Sequence, residues 1–387
     1  MKTIAFYIRN TSQFNNYIKP YTDVLIEKGH KAIILHTNSL TKDLNNKNSD
    51  TIEIEHYDIG KNTIKQTIKY LKQKNIEAVI SINFHSPMDL LVNRLLYFIG
   101  IKSVYMEHGI LADEFGKYIK PTKPLTNIVR LYKYLKKYFV FSIISKNTLK
   151  EMYILYKVFI KKQYKIAPYD NYLLYSKRSL EILSKKYILN NNVSYSGYPI
   201  ELNNTTSAIQ NKEPYILYIH QPYTKYKLGS CSYNDEFLFL NNIGKTIKKY
   251  ELDFIIKLHP VAEQNKYRNG LDGFITISNK ETDLGELITG AYAVLGHFST
   301  ALFYAVKQKK PIIQISPSCY GFNSNFKLFE DVALKAYNKN DLEMILKDNT
   351  ILNSKLKFYN EYINYYIGRH NSYKHRVETL LKILNDA

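Results

Sequence analysis

Three short clusters carry the residue types of group-transfer chemistry: Glu107-His108-Gly109, His259-Pro260 and Ser299-Thr300. A carboxylate or imidazole such as Glu107 or His108 can take the proton of an attacking hydroxyl. Gly109 lets the backbone turn sharply beside a substrate. The His259 imidazole can donate to a phosphate, and Pro260 halts the strand and fixes the backbone there. Ser299 and Thr300 stand where a helix should open, so their hydroxyls and the first-turn N–H groups form an anion site. An isolated Ser-Thr more often just caps its helix. His259-Pro260 at the end of another strand turns the reading toward function.

The elements that must position these clusters are legible as patterns. Residues 254–258 and 291–295 are apolar runs with the length and β-branched content of buried parallel strands. Lys257, His259 and Pro260 end the first; Gly296, His297, Ser299 and Thr300 end the second. In open α/β sheets, ligands sit beyond the carboxyl ends of the strands. After Thr300 the pattern turns helical over 301–308, and Lys309-Lys310-Pro311 breaks it before a strand over 312–315.

The N-terminal half alternates strands over 4–8, 32–36, 51–57, 78–82 and 104–106 with helices over 14–28, 63–72 and 88–98. The last of these strands runs into Glu107-His108-Gly109, and His85 follows the one before it, so His85 and Gly109 are assigned to the acceptor side. Strands over 172–175 and 193–196 follow, with a helix over 177–183 between them. Such alternation implies parallel, doubly wound sheets. Polar residues 201–213 read as a linker. The expected organisation is an N-terminal Rossmann-like domain over 1–205, a linker over 206–213, a C-terminal domain over 214–355 and a helical tail over 356–387 that returns to the first domain.

The order and strand context of the His-Pro and Ser/Thr motifs resemble the bacterial sialyltransferases and polysialyltransferases, and also the CDP-glycerol glycerophosphotransferases. Both resemblances imply the GT-B fold, two Rossmann-like domains facing across a cleft. They imply that His259, Pro260, Ser299 and Thr300 grip the phosphate and ribose of a cytidine nucleotide, with Lys257 and Gly296 beside them. The two families differ at Glu107-His108-Gly109. The sialyltransferase resemblance makes Glu107 the general base; the glycerophosphotransferase resemblance makes it His108. Glu107 is favoured here because a carboxylate is ionised near neutral pH without tuning.

The implied activity is inverting, metal-independent transfer of sialic acid or a related sugar from a CMP-linked donor to a glycan acceptor, in bacterial surface polysaccharide or lipooligosaccharide synthesis. A CDP-glycerol-type polyol-phosphate transferase is the alternative, and a UDP-sugar transferase or sugar-nucleotide epimerase stands third. Weaker positions are His220 and Gln221 after the strand over 215–219, Glu281 and Asp283 before a short helix, and His297, read as a neutral core histidine. No Asp-x-Asp pair stands at a strand end, so no metal and no other cofactor is expected; Asp113-Glu114 reads as a solvated turn. No GxGxxG, Walker or Gly-x-Ser-x-Gly motif occurs, which excludes the commonest dinucleotide, ATP and hydrolase sites.

The chain has 387 residues and a net charge of +20. Residues 117–168 hold thirteen Lys or Arg against one acid, Glu151, interleaved with Tyr132, Tyr134, Tyr138, Phe139, Phe141, Tyr153, Tyr156 and Phe159. Basic residues mixed with aromatics suit an anionic lipid surface. A solvated insert is an equal reading, and a non-catalytic basic membrane- or nucleic-acid-binding protein on the same scaffold stays open, though no nucleic acid is expected for the enzyme. No cleavable leader or membrane-spanning run is visible. The two cysteines, Cys231 and Cys319, lack metal or redox spacing and are expected to be free thiols. The expected location is cytoplasmic, peripheral to the inner membrane.

Overall fold

The computed structural model describes residues 1–9, 13–37, 54–83, 86–108, 124–161, 163–185, 192–200, 214–226, 230–278, 282–321, 324–368, 370 and 372–386. They form two compact units. One comprises Met1–Leu111, Tyr118–Pro199 and Gly368–Ala387; the other is centred on Ile200–Ile367.

The first unit holds seven strands: β1 Thr3–Ile8, β2 Lys31–His36, β3 Glu55–Asp58, β4 Ala78–Ser81, β5 Lys102–Met106, β6 Asn171–Leu174 and β7 Val193–Tyr195. Their order in the sheet is β3-β2-β1-β4-β5-β6-β7, and every pairing is parallel. Strand residues alternate between two cores, as a period of two requires. Ala5 and Tyr7 of β1 face one cluster; Ile4, Phe6 and Ile8 face the other. The second cluster is covered by helices Lys19–Glu27 and Tyr373–Asn385. The latter supplies Val377, Leu380 and Leu384 at helical spacing. Burying each such side chain contributes about 1.5–3 kcal/mol before entropy is counted.

The C-terminal segment therefore does return to the first unit, but not as one tail over 356–387. Residues 356–367 belong to the second unit, and the chain breaks at Gly368, which has φ +83°. The exit from β7 needs the same freedom. Gly197 has φ +70°, and a Cβ there would lie 1.6 Å from the backbone oxygen of His370.

The basic insert is mostly helical, Pro124–Ile144 followed by Thr148–Leu155 and a π-helical turn, Tyr156–Ile160. Its lone acid is structural. Glu151 accepts from Arg94 Nε and Nη2 at 3.1 and 2.9 Å and from the Tyr138 hydroxyl at 3.0 Å, all buried. This ties both insert helices to helix Pro87–Ile99.

The second unit holds β8 Tyr215–Ile219, β9 Asp253–Lys257, β10 Thr276–Ile277, β11 Ala291–Gly296, β12 Ile312–Ile315 and β13 Ala333–Ala336. They are parallel, in the order β10-β9-β8-β11-β12-β13. Strands β10 and β13 are not expected from the sequence: β10 has two residues, and β13, Ala-Leu-Lys-Ala, lacks a β-branched apolar run. The expectation of free thiols is overturned: Cys231 and Cys319 form a disulfide. It joins the approach to helix Tyr233–Lys248 to the segment after β12, where Ser230 N also donates to the Cys319 carbonyl at 3.2 Å. The partners are 88 residues apart, so no local spacing revealed them.

Candidate functional site

In each sheet the strand order reverses once, between β1 and β4 and between β8 and β11. Crevices at such reversals are where open α/β sheets bind ligands. In the second unit Ile219 pairs with Lys257 on one side and Gly296 on the other. The polar residues following β8, β9 and β11 are therefore level with one another.

His259 and His220 meet there. The His259 N–H donates to His220 Nδ1 at 3.5 Å, and His220 N donates to the Lys257 carbonyl at 3.1 Å. On its other side, His220 Nε2 lies 3.5 Å from Glu236 Oε2. Glu236 also accepts from Thr224 N at 2.5 Å and from the Tyr267 hydroxyl. This buried relay orients the loop that carries His259. The His259 Nδ1 accepts from Val261 N at 3.3 Å, so Nε2 carries the ring proton. Burial, reinforced by neighbouring His220, lowers the His259 pKa. A neutral, half-buried imidazole with its proton on Nε2 can act as a hydrogen-bond donor. Pro260 is exposed beside it.

The other expected donor-side residues are mainly occupied by the fold. Lys257 Nζ donates to the Thr282 carbonyl at 2.6 Å, holding the approach to helix Leu284–Gly290, which Asp283 caps through Glu286 N at 3.0 Å. At Gly296 a Cβ would come within 3.1 Å of Leu302 Cδ2, so glycine lets the following helix return close to β11. The Ser299 hydroxyl accepts from Ala301 N at 3.2 Å, and the Ser299 carbonyl from Leu302 N at 2.9 Å. Ser299 thus shapes the turn into helix Leu302–Lys307, which begins one residue later than expected. Thr300 is exposed at that turn. His297 is fully buried among Phe298, Tyr320 and Tyr223, and burial lowers its pKa to about 2. It is a neutral core histidine.

In the first unit Glu107 and His108 follow β5. Glu107 is buried; its carboxyl oxygens accept from Tyr175 N at 2.7 Å and from the Ser179 hydroxyl at 2.8 Å. Its carbonyl takes a bond from Arg376 Nη2 at 3.2 Å. The Arg376 guanidinium lies over the Tyr175 ring, 4.4 Å from its centroid. These contacts join β5, β6, helix Lys177–Ser184 and the C-terminal helix. Both carboxyl oxygens of Glu107 are thus engaged by neighbours within its own unit. His108 is half-buried and edge-on to Tyr17 at 5.3 Å. His85, Gly109, Glu281, Asp113 and Glu114 lie outside the described residues.

At the β1/β4 reversal stands a group absent from the sequence reading. Asp89 accepts from Arg9 Nε at 2.9 Å, from Arg9 Nη2 and from the Tyr7 hydroxyl at 3.1 Å. Gln13 accepts from Arg9 N at 2.8 Å and donates to Asn83 at 2.9 Å. Arg9 immediately follows the first strand, and Asp89 sits in a helix N-terminal turn behind Ser86. A charged residue directly after an apolar strand was the available signal.

No protein-family model and no curated relative matches the sequence. Solved structures match along its whole length. The calicheamicin glycosyltransferase CalG4 superposes with TM-score 0.59 at 10% identity, covering 99% of this chain and 98% of its own. The lipopolysaccharide glycosyltransferase WaaG gives 0.54 at 10%, covering 99% and 100%. UDP-GlcNAc 2-epimerase from Methanocaldococcus jannaschii gives 0.54 at 14%, covering all of both chains. The chain has the GT-B fold. Transferases and epimerases share this architecture, so the site must decide between chemistries.

What this GT-B chain offers is a neutral imidazole donor, a small-residue turn at the β8/β11 reversal and, in the other unit, His108 after β5. Among the described residues no three metal-ligating side chains cluster. Glu236 and Tyr267, which orient His220, were also missed. They lie in helices whose sequence gives no hint of the loop they face.

Proposed function

We propose that the chain is a nucleotide-sugar-dependent, inverting glycosyltransferase that works without a metal ion. The observation that carries this reading is the His220–His259 pair at the level ends of β8 and β9, beside the β8/β11 reversal. Departure of a nucleotide phosphate builds negative charge, and a preorganised neutral N–H stabilises it. His259 serves as that donor, and Thr300 and the Ser299 turn follow β11, on the other side of β8. The acceptor hydroxyl gives its proton to His108, supported by the commitment of Glu107 to Tyr175 and Ser179.

The donor we favour is CMP-linked sialic acid or a related sugar, joined to a bacterial surface glycan or lipooligosaccharide. Assigning the base to His108 lends weight to the CDP-glycerol-type reading, polyol-phosphate transfer, which shares the same cytidine grip. Melting temperature with CMP, CDP and UDP tests the grip. A nucleotide at a hundredfold excess over its Kd should add about 2.7 kcal/mol. Cytidine nucleotides should stabilise the chain most; no shift with any of the three would overturn the reading.

We further propose that the chain docks through the insert on an anionic membrane, at its cytoplasmic face. Leu149 is 89% exposed and Tyr132 67%, with Ile143, Tyr153, Tyr156 and Ile160 also exposed. Lys133, Lys136, Lys150 and Lys161 are exposed among them. Lys137 is not part of this surface: its ammonium donates to the Ile59, Gly60 and Asn62 carbonyls at 2.6–2.8 Å. Among the described residues no helix is long and apolar enough to cross a membrane.

A further inference from the structure

Residues 356–367 change helical type twice within twelve residues, from 3-10 (Leu356–Phe358) to α (Tyr359–Tyr362) to π (Ile363–Ile367). Single π turns are frequent at functional sites. Here the change gathers three phenol rings. Tyr366 stacks on Tyr362 at 4.2 Å and 19°, and Tyr365 stands edge-on to Tyr366 at 5.0 Å and 85°. Tyr362 is buried, stacks on Phe329, and donates to the Leu328 carbonyl, so the base of the group is anchored in the core.

These rings and the exposed ring of Phe358 line a cavity of about 360 Å³ within the second unit. That is the small end of the range for small-molecule sites, roughly 300–1,000 Å³. Asp331, Glu361 and Lys355 share the lining. Neither carboxyl is in an ion pair among the described residues, whereas Lys355 reaches the Glu330 carbonyl at 3.5 Å.

The mixture selects a ligand class. A hydrocarbon would cover two carboxyls and an ammonium without satisfying them, at a cost. A simple anion would face Asp331 and Glu361, and a simple cation would face Lys355. A pyranose ring matches the groups: its C–H face lies on an aromatic ring, and its hydroxyls donate to carboxyls and accept from the ammonium. We propose that this cavity is a saccharide subsite that holds one or two uncharged pyranose units of a glycan. The proposal does not rest on the transferase reading, and none of its residues belongs to the strand-end loops.

Saturation-transfer NMR on the full chain tests it, with lactose, N-acetyllactosamine and maltotriose as probes and tetramethylammonium and cyclohexanol as controls. At least one saccharide should receive saturation on its ring C–H protons, and neither control should match it. Phe358→Ala, which removes the exposed platform, and Glu361→Gln, which keeps its shape and removes the charge, should each weaken binding. Loss of one hydrogen bond to a charged group corresponds to about tenfold or more in affinity. Both side chains are exposed, so unchanged melting temperatures should accompany the loss. The inference is overturned if no saccharide binds, if both folded variants bind like wild type, or if a control binds more strongly than every saccharide.

Discussion

At the scale of single residues, adjacent Glu107 and His108 have opposite surroundings. Glu107 is enclosed by Tyr175, Ser179 and Arg376, so its removal should be felt as lost stability. Glu107→Gln leaves one acceptor oxygen and puts an amide donor against the Tyr175 N–H or the Ser179 hydroxyl. It should cost about 1–3 kcal/mol in urea denaturation. Its transfer rate at a temperature where it is folded should stay within tenfold of wild type. His108→Gln should do the reverse, keeping stability while losing about 100- to 10,000-fold in transfer. A folded Glu107→Gln protein with that larger loss would return the base to the carboxyl.

His297 makes a separate prediction. Burial holds its pKa near 2, against about 6.5 for an unfolded histidine. Between those values the unfolded chain binds a proton that the folded chain refuses, so stability falls as pH drops below about 6.5. Burial lowers His56, His220 and His259 in the same direction. Between pH 6.5 and 5, His297 alone should cost about 2 kcal/mol. Urea midpoints over that interval should fall less steeply for His297→Phe. Equal slopes would show that the histidine is protonated in the folded chain.

At the scale of elements, the point where β7 leaves the sheet is the most intolerant. Gly197 combines φ +70° with the His370 carbonyl where a side chain would begin. Gly197→Ala should lose about 3 kcal/mol or more, from backbone strain and forced displacement together. A denaturation change below about 1 kcal/mol would mean that the His370 backbone moves aside freely.

Long apolar strands and their helices were legible because each buries two faces or one stripe, and that periodicity is written locally. Positions 4–8, 215–219 and 312–315 show it plainly. The strand-end placement of His259 and Ser299 followed from the same pattern. What was hidden depends on contacts far apart in the chain: Cys231 with Cys319, Arg9 with Asp89, Arg376 with Glu107. Lys137 illustrates the limit at one residue. Its composition marks it as one more basic surface group, yet three carbonyls of a distant turn hold it.

For the molecule as a whole, the exposed lysines and exposed apolar side chains of the insert carry the proposed membrane docking. Vesicles containing anionic lipid should bind the chain, and salt should release it. Each basic residue near such a surface contributes about 1 kcal/mol, so replacing Lys133, Lys136, Lys150 and Lys161 by Gln should weaken partition more than tenfold. Activity on a soluble acceptor should persist in that variant. Equal binding to neutral and anionic vesicles would contradict the electrostatic part.

The GT-B architecture is common to enzymes that transfer sugars and enzymes that epimerise them, so what the strand-end site does to a donor decides the function. Turnover of CMP-, CDP- and UDP-linked donors, with and without glycan acceptors, by wild type and His259→Ala tests it most directly. One class of donor should release its cytidine nucleotide, an acceptor should increase that release, and the variant should lose about 100-fold or more. No turnover of any donor, or equal turnover by the two proteins, would contradict it.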